Sequence, residues 1–570
     1  MGYTRPIATL DAETDPFRRG RIPQPFIWGF YDAGFMDPNK PFYYFTDTKK
    51  LVEFIKDLEF IVYAHNGGKF DYHYLLPHVE VFDEITIING RLATLHMGIA
   101  ELRDSYNILP VPLSMYEKMQ FDYSIMEPEK RHIPENWAKI VEYLESDCKN
   151  LYEIVTAFID RFGLHLTQAS AAMSQWKKVS GTKPPKSSID YYQDMRKFYY
   201  GGRCECFQTG LINGPFEVMD INSAYPWAML KHHAYGLGFE RYTGKRADEL
   251  FNEFPRAVLQ NAFFTVRCIS YGAFPFRDED KSLIFPNDKV IREYHVTGWE
   301  LLAALETKTV NRLSLNIVEM RVFDETVSFA DYINKFYEEK KTAKASGDKA
   351  TTLFAKLMMN SLYGKFAANP EEYKHHLLLD GSFPVAEAEY EDKTYTFTGY
   401  LGPHVLMQAP LDEEEMRFYN VATSASITGC VRAYLWRAIC RSDGVIYSDT
   451  DSIAAVRADA PVGVELGEWQ REGRFVRGAV AGKKLYAFRY RPGTEPRDRQ
   501  GKRILWKTAS KGVRLTPSQI VKVAKGATVQ YFPEVPTYSV KGFINPETGA
   551  REIARFIPRN ISMLDKNRGD

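Results

Sequence analysis

The chain has 570 residues, 45% hydrophobic and 26% charged, with 73 basic and 73 acidic side chains. Such a length exceeds one hydrophobic core and predicts about two to four domains, while the composition excludes global disorder, collagen-like repeats and a coiled coil. Zero net charge says nothing about an acidic partner, for which its distribution matters more, six cysteines cannot form a secreted disulfide framework, and no apolar run of about 18 residues marks a membrane span.

In chain order, an apolar run at 7–10 ends at Asp11; if it is a strand, Glu13 points to the same side. FYYFTDTKKLVEFIKDLE (42–59) reads as strand, turn and helix, and a second apolar run, FIVYAHNGG (60–68), leads to Asp71. Residues 137–162 carry apolar side chains at 140, 144, 151, 154, 155, 158 and 159, which predicts a helix. Asp147 lies on that helix, with Tyr143 one turn earlier on the same face. Strands that end in carboxylates and lead into helices predict an α/β domain with its site at the strand edge. If Asp11, Glu13, Asp71 and Asp147 meet, they repel one another. Two Mg²⁺ or Mn²⁺ ions would reconcile them, with Tyr143 orienting an attacking water. Spacing alone leaves open the alternative of separate surface acids.

Beyond about residue 211 the pattern restarts. FEVMDI (216–221) is a predicted strand that carries Asp220, and GVIYSDTDSIAAV (444–456) reads as strand, turn, strand with Asp449 and Asp451 at the turn. YINKFYEEK (332–340) and LFAKLMMNSLYG (353–364) read as helices. On the second, Lys356, Asn360 and Tyr363 share one face; ammonium groups beside paired carboxylates suit a triphosphate. Residues 228–330 have the size of an inserted subdomain, and a second insert at 367–415 contains the hairpin-like KTYTFTGYL (393–401). Residues 471–525 hold 16 Lys/Arg against three acids, with Tyr486, Phe488, Tyr490 and Trp506 interleaved. This composition predicts a track for a nucleic-acid backbone.

These motifs together resemble the family B DNA polymerases, most closely the protein-primed branch of phages with linear double-stranded DNA genomes. DINSAYP (220–226), KLMMNSLYGKF (356–366), YSDTDS (447–452) and KLY (484–486) resemble the polymerase motifs; DAET (11–14), HNGGKFD (65–71) and YLESD (143–147) resemble those of the proofreading exonuclease. YYGG (199–202) resembles the linker motif between the two halves, and TGCVR (428–432) the Thr-x-x-x-Arg element.

The resemblance implies an α/β and α+β multidomain fold: an RNase H-like 3′-5′ exonuclease domain, then a right-hand polymerase with two inserted subdomains. Its expected divisions are exonuclease 1–185, palm 186–230 and 416–515, insert 231–331, fingers 332–366, second insert 367–415 and thumb 516–570. The first insert is expected to dock a priming protein, and the second to enclose template and product. Asp220 and Asp451 are implied as palm metal ligands with Asp449 beside them, and Asp11, Glu13, Asp71 and Asp147 as exonuclease ligands served by Tyr143. Mg²⁺ or Mn²⁺, two ions per site, is the implied cofactor. Tyr225 is implied to pack under the incoming sugar and Tyr363 against the nascent pair. Lys344, Lys356, Asn360 and Lys484 are implied as further nucleotide contacts. Lys344 reaches the Lys356 face only if the helix breaks at Ser346-Gly347. Asn66, Phe70, Thr428, Arg432, Tyr486, Lys502, Arg503 and Lys507 are implied DNA contacts. The SY at 105–106 departs from the branch's usual Ser/Thr-Leu. The implied partners are template and primer DNA, deoxynucleoside triphosphates and a terminal protein, acting on a soluble monomer in the host cytoplasm or nucleoid. Two alternatives stay open: a primer-independent polymerase, and a non-catalytic DNA-binding clamp.

Overall fold

The computed structural model describes residues 5–80, 84–117, 119–382, 385–417, 419–498 and 500–563; Arg499 of the basic stretch lies outside them. Among these residues no helix is long and apolar enough to cross a membrane.

The N-terminal sheet is built on Ile7–Thr14, which pairs antiparallel with Pro25–Tyr31 and parallel with Ile61–Ala64; the latter pairs parallel with Ala100–Asp104. The predicted helix spans Pro134–Phe162 and buries every apolar position named for it, together with Tyr143 and Asp147. It lies close on the sheet because residue 29 is glycine: a Cβ there would sit 2.8 Å from Leu144 Cγ and 3.0 Å from Cys148 Sγ. Thr9 Oγ1 donates to the Cys148 carbonyl at 2.8 Å and fixes the helix in register with the strand.

This sheet continues further than its sequence suggests. Lys374–Asp380 pairs with Glu84–Ile88 through His376↔Ile85 and Leu377↔Glu84, so the strands of the second insert extend the N-terminal sheet to eleven strands.

The central sheet has seven strands in the order Trp506–Ser510, Leu485–Tyr490, Trp469–Gly482, Gly210–Ile221, Ser452–Arg457, Asp443–Thr450, Arg203–Cys206. Every neighbouring pair is antiparallel. The helix Val421–Arg441, buried along nearly its whole length, backs it. The helices Ala330–Ser346 and Lys349–Phe366 stand beside it; Gly347, at φ +78°, ends the first, and Asp348 caps the second by accepting from the Thr351 N–H at 2.9 Å.

The first insert is no surface loop. Its four strands run in the order His233–Thr243, Asn316–Val327, Phe263–Ile269, Ile291–Thr297, and its Phe264, Val266 and Leu301 share one core with Ile427, Val431 and Leu435 of the buried helix. The C-terminal part contributes a helix, Pro517–Ala524, the hairpin of Thr537–Ile544 with Arg551–Arg555, and the enclosing pair of Val529–Tyr531 with Arg559–Ile561. One hairpin strand, Thr537–Ile544, carries Tyr538 and Val540 into the core beside Leu75 and Leu76, closing the chain back onto its N-terminal sheet.

Candidate active sites

The central sheet assembles the first cluster by register. Asp220 lies opposite Ser452 on the neighbouring strand, so the turn carrying Asp449 and Asp451 sits beside it; Thr450 takes φ +59° to make that turn. Burial, the Asp451 charge and then Glu472 push Asp220 up to about 7, while Lys507 opposes them. Asp451 is raised to about 6 by burial and by Asp449. Lys484 Nζ lies 3.0 Å from Asp449 Oδ1, and its backbone N–H donates to Tyr447 Oη at 2.8 Å.

Sequence reading missed Glu472. The register shifts between Arg471 and Gly473 where this strand pairs with Gly210–Ile221, a bulge that brings Glu472 among the site's charges, where Lys507 Nζ meets it at 2.7 Å. No spacing rule announces a bulge. Lys507, expected on the DNA track, is therefore engaged beside Glu472 and Asp220, whereas Lys502 and Arg503 are exposed beyond the strand. Tyr486 packs on Phe488, ring centroids 4.5 Å apart.

Tyr225 and Tyr363 come from different helices and stack face to face, centroids 4.3 Å apart and planes 6° from parallel. Lys344 and Lys356 lie on the two consecutive helices and are exposed; both depress the ammonium pKa of Lys340, after burial, so three like charges gather there. Lys340 was not singled out from the sequence. Asn360 donates back to the Lys356 carbonyl at 2.8 Å.

Thr428 and Arg432 require a correction. Both are buried, at 1% and 2% exposure, so neither offers a surface to DNA. Thr428 donates to the Ala425 carbonyl, and Arg432 is committed to Glu300 and to two backbone carbonyls.

The second cluster lies in the N-terminal sheet. Carboxylate oxygens of Asp11, Glu13 and Asp147 fall within 4.8 Å of one another, a group that could hold a divalent cation. Asp71, at the start of the short helix Asp71–Leu75, is raised to about 7 by burial, with Asp104 adding to the rise and backbone N–H groups opposing it. Its Oδ1 is buried with no hydrogen-bond partner among the described residues. Hard oxygen donors with one left unsatisfied fit Mg²⁺ or Mn²⁺. Tyr143 lies on the helix turn before Asp147, its hydroxyl 2.9 Å from that of Tyr123 and its ring stacked on Phe121 at 4.3 Å. Burial first, then Tyr123 and Asp147, raise its phenol well above the usual range.

All of these acids and Tyr143 line one cavity of about 920 Å³. Asn66 and Phe70 are on its wall; Asn66, at φ +64°, accepts from Arg91 Nη1 at 2.7 Å, which leaves its amide N–H₂ for another partner. Tyr538 reaches the same cavity from the C-terminal hairpin, 5.2 Å from Phe70.

Residues 114–403 match the family model "DNA polymerase type B, organellar and viral". The chain is 34% identical over 580 residues to the DNA-directed DNA polymerase of Enterobacteria phage PRD1, covering 94% of this chain and 96% of that one. It is 28% identical over 422 residues to the DNA polymerase of Bacillus phage Nf, covering 67% and 66%. Phi29 DNA polymerase complexed with primer-template DNA and incoming nucleotide substrates shares its fold at TM-score 0.70 and 18% identity, over 98% of this chain and 100% of that one. The chain thus has a multidomain α/β fold with a palm, fingers and thumb-like architecture.

Proposed function

The chain belongs to the type B DNA polymerases of organelles and viruses and is a DNA-directed DNA polymerase; from that premise we propose that it also proofreads with a 3′-5′ exonuclease in its N-terminal cavity and starts replication of a linear viral genome from a terminal protein. The observation that carries the proofreading reading is the group Asp11, Glu13 and Asp147, set with Asp71 and Tyr143 in one cavity on a different sheet from Asp220 and Asp451.

The polymerisation reaction is in-line attack of a primer 3′-hydroxyl on the α-phosphate of a deoxynucleoside triphosphate, with pyrophosphate leaving. When bound, two Mg²⁺ or Mn²⁺ ions per site would neutralise charge on the reacting oxygens and promote deprotonation of the attacking one. Asp220 and Asp451 would hold them in the palm, and Asp11, Glu13, Asp71 and Asp147 in the N-terminal cavity. Lys344, Lys356 and the neighbouring Lys340 oppose the charge of the triphosphate. Tyr225, stacked on Tyr363, closes the space under the sugar, so a 2′-hydroxyl is excluded sterically. Lys484, anchored on Asp449, fixes the palm turn beside the primer end. In the N-terminal cavity Tyr143 orients the water that attacks the last phosphodiester, and Asn66 and Phe70 receive the frayed primer strand.

Labelled single-stranded DNA tests proofreading: wild type should shorten it from the 3′ end in Mg²⁺, and Asp11→Ala with Glu13→Ala should not. Protein priming is supported by likeness to the phage PRD1 polymerase over nearly both whole chains. Its test is incorporation of labelled nucleotide with genome-end DNA, with and without terminal protein. Label joined to the terminal protein supports it; equal initiation without that protein refutes it and favours primer-independent synthesis.

A further inference from the structure

We propose that Glu300 and Arg432 are positioning residues for polymerisation, a buried relay through which the first insert holds the linker strand against the catalytic turn. This rests on the polymerase reading of the Asp220–Asp451 site. The relay starts in the insert at the helix Gly298–Glu306, where Glu300 Oε2 accepts from the N–H and hydroxyl of Thr297 at 3.1 and 2.9 Å and so caps its own helix. Its other oxygen, Oε1, accepts from Arg432 Nε at 2.7 Å, both side chains being 2% exposed. Arg432 Nη1 then donates to the carbonyls of Tyr200 and Gly201, at 2.6 and 2.9 Å, in the YYGG linker.

The next link reaches the chemistry. The strand Arg203–Cys206 pairs with the catalytic hairpin, Arg203 opposite Thr450 and Cys204 opposite Asp449. Gly202 packs directly on that turn: a Cβ there would meet Thr450 Cγ2 at 2.7 Å. A shift of the linker therefore displaces the residue between Asp449 and Asp451.

Two independent details support the same path. In TGCVR, a Cβ at Gly429 would lie 2.2 Å from Thr297 Oγ1, so only glycine lets the insert helix approach near enough for Glu300 to reach Arg432. One residue past the linker, the buried Arg203 is held between rings from the insert and the palm helix, Phe285 at 4.0 Å and Trp436 at 4.1 Å. Excising residues 231–331 would leave Arg432 buried without its carboxylate, a strongly destabilising arrangement. Such a deletion removes the buttress together with any docking surface.

The test compares Glu300→Gln and Arg432→Lys with Glu306→Gln. Glu306 joins the same two helices through Arg437, at 2.6 Å, but at the surface. Single-turnover nucleotide addition should fall at least ~10-fold in the first two, while Glu306→Gln stays within about twofold. Hydrogen exchange at 199–206 and 447–452 should quicken in Glu300→Gln and stay unchanged in Glu306→Gln. If folded Glu300→Gln adds nucleotide at the wild-type rate, or if faster exchange is confined to the Gly298–Glu306 helix, the relay is refuted. Should Arg432→Lys not fold, Glu300→Gln decides alone. A wild type that extends no primer would instead overturn the polymerase reading.

Discussion

The two acid clusters solve one electrostatic problem differently. In the palm, Asp220, Asp449 and Asp451 come from neighbouring antiparallel strands and are met by side-chain counter-charges, Lys484 on Asp449 and Lys507 on Glu472. In the N-terminal cavity the acids come from a strand, the start of a short helix and the middle of a long one, and the wall beside them includes Phe17, Phe70, Tyr123, Tyr143 and Tyr538. Lys69 reaches that wall, but the charges acting on it are those of Arg91 and Asp104. The central cluster thus carries part of its neutralisation on its own lysines.

The comparison breaks if the clusters are not separate sites, and the largest expected effect tests that. Asp451→Asn should lower primer extension by ~10³ or more, about 4 kcal/mol of barrier, while degradation of single strands persists. Asp11→Ala with Glu13→Ala should do the reverse. Loss of both activities in either folded variant would sink the separation.

Charge outside the clusters gives the next effect. Lys502 and Arg503 are exposed, so replacing both with Gln should flatten log K against log salt by up to ~1.8, independent of sequence. Lys507→Gln should behave differently and slow nucleotide addition itself, because Lys507 acts on Glu472 and Asp220. A rate unchanged in Lys507→Gln would return that lysine to the DNA track. Tyr225→Val sharpens the palm further: ribonucleotide incorporation relative to deoxynucleotide should rise by about tenfold if the ring excludes the 2′-hydroxyl sterically. An unchanged ratio would make the stack with Tyr363 a matter of packing alone.

The palm was more legible in sequence than its surroundings, and the reason is topological. A strand–turn–strand pattern sets Asp449 and Asp451 beside a neighbouring strand over a few residues, and Ser346-Gly347 announced the helix break that separates Lys344 from Lys356. The N-terminal acids could be named but not brought together, since their meeting depends on Gly29 admitting the long helix. The joining of the second insert to the N-terminal sheet rests on two residue pairs distant in sequence, beyond any local pattern. Arg432 was misplaced because a motif gives residue type without burial, and Glu472 was missed because a bulge leaves no periodic trace.

The smallest effect separates the clusters by proton instead of by metal. In chelator, Asp71 and Asp220 are each raised to about 7 and Asp451 to about 6, above their unfolded values. Between pH 8 and 6.5 each of these carboxyls therefore binds more protons in the folded chain than in the unfolded one, and the stability each contributes rises as pH falls. Asp71 contributes roughly 1 kcal/mol over that window, and the less buried Asp220 contributes less, discounted for solvent screening. Histidines oppose that rise through the same window. His73, His233 and His376, each lowered to about 4 chiefly by burial, stay neutral in the fold but charge in the unfolded chain. The pH dependence of the melting temperature without ions thus sums opposing contributions, and Asp71→Asn should lower the change from pH 8 to 6.5 by about 1 °C relative to wild type. Saturating Mg²⁺ should remove the Asp71 contribution from wild type, since a bound cation favours the charged carboxylates at pH 8. If the pH dependence in Asp71→Asn matches that of wild type, the carboxyl is not held neutral by its cavity.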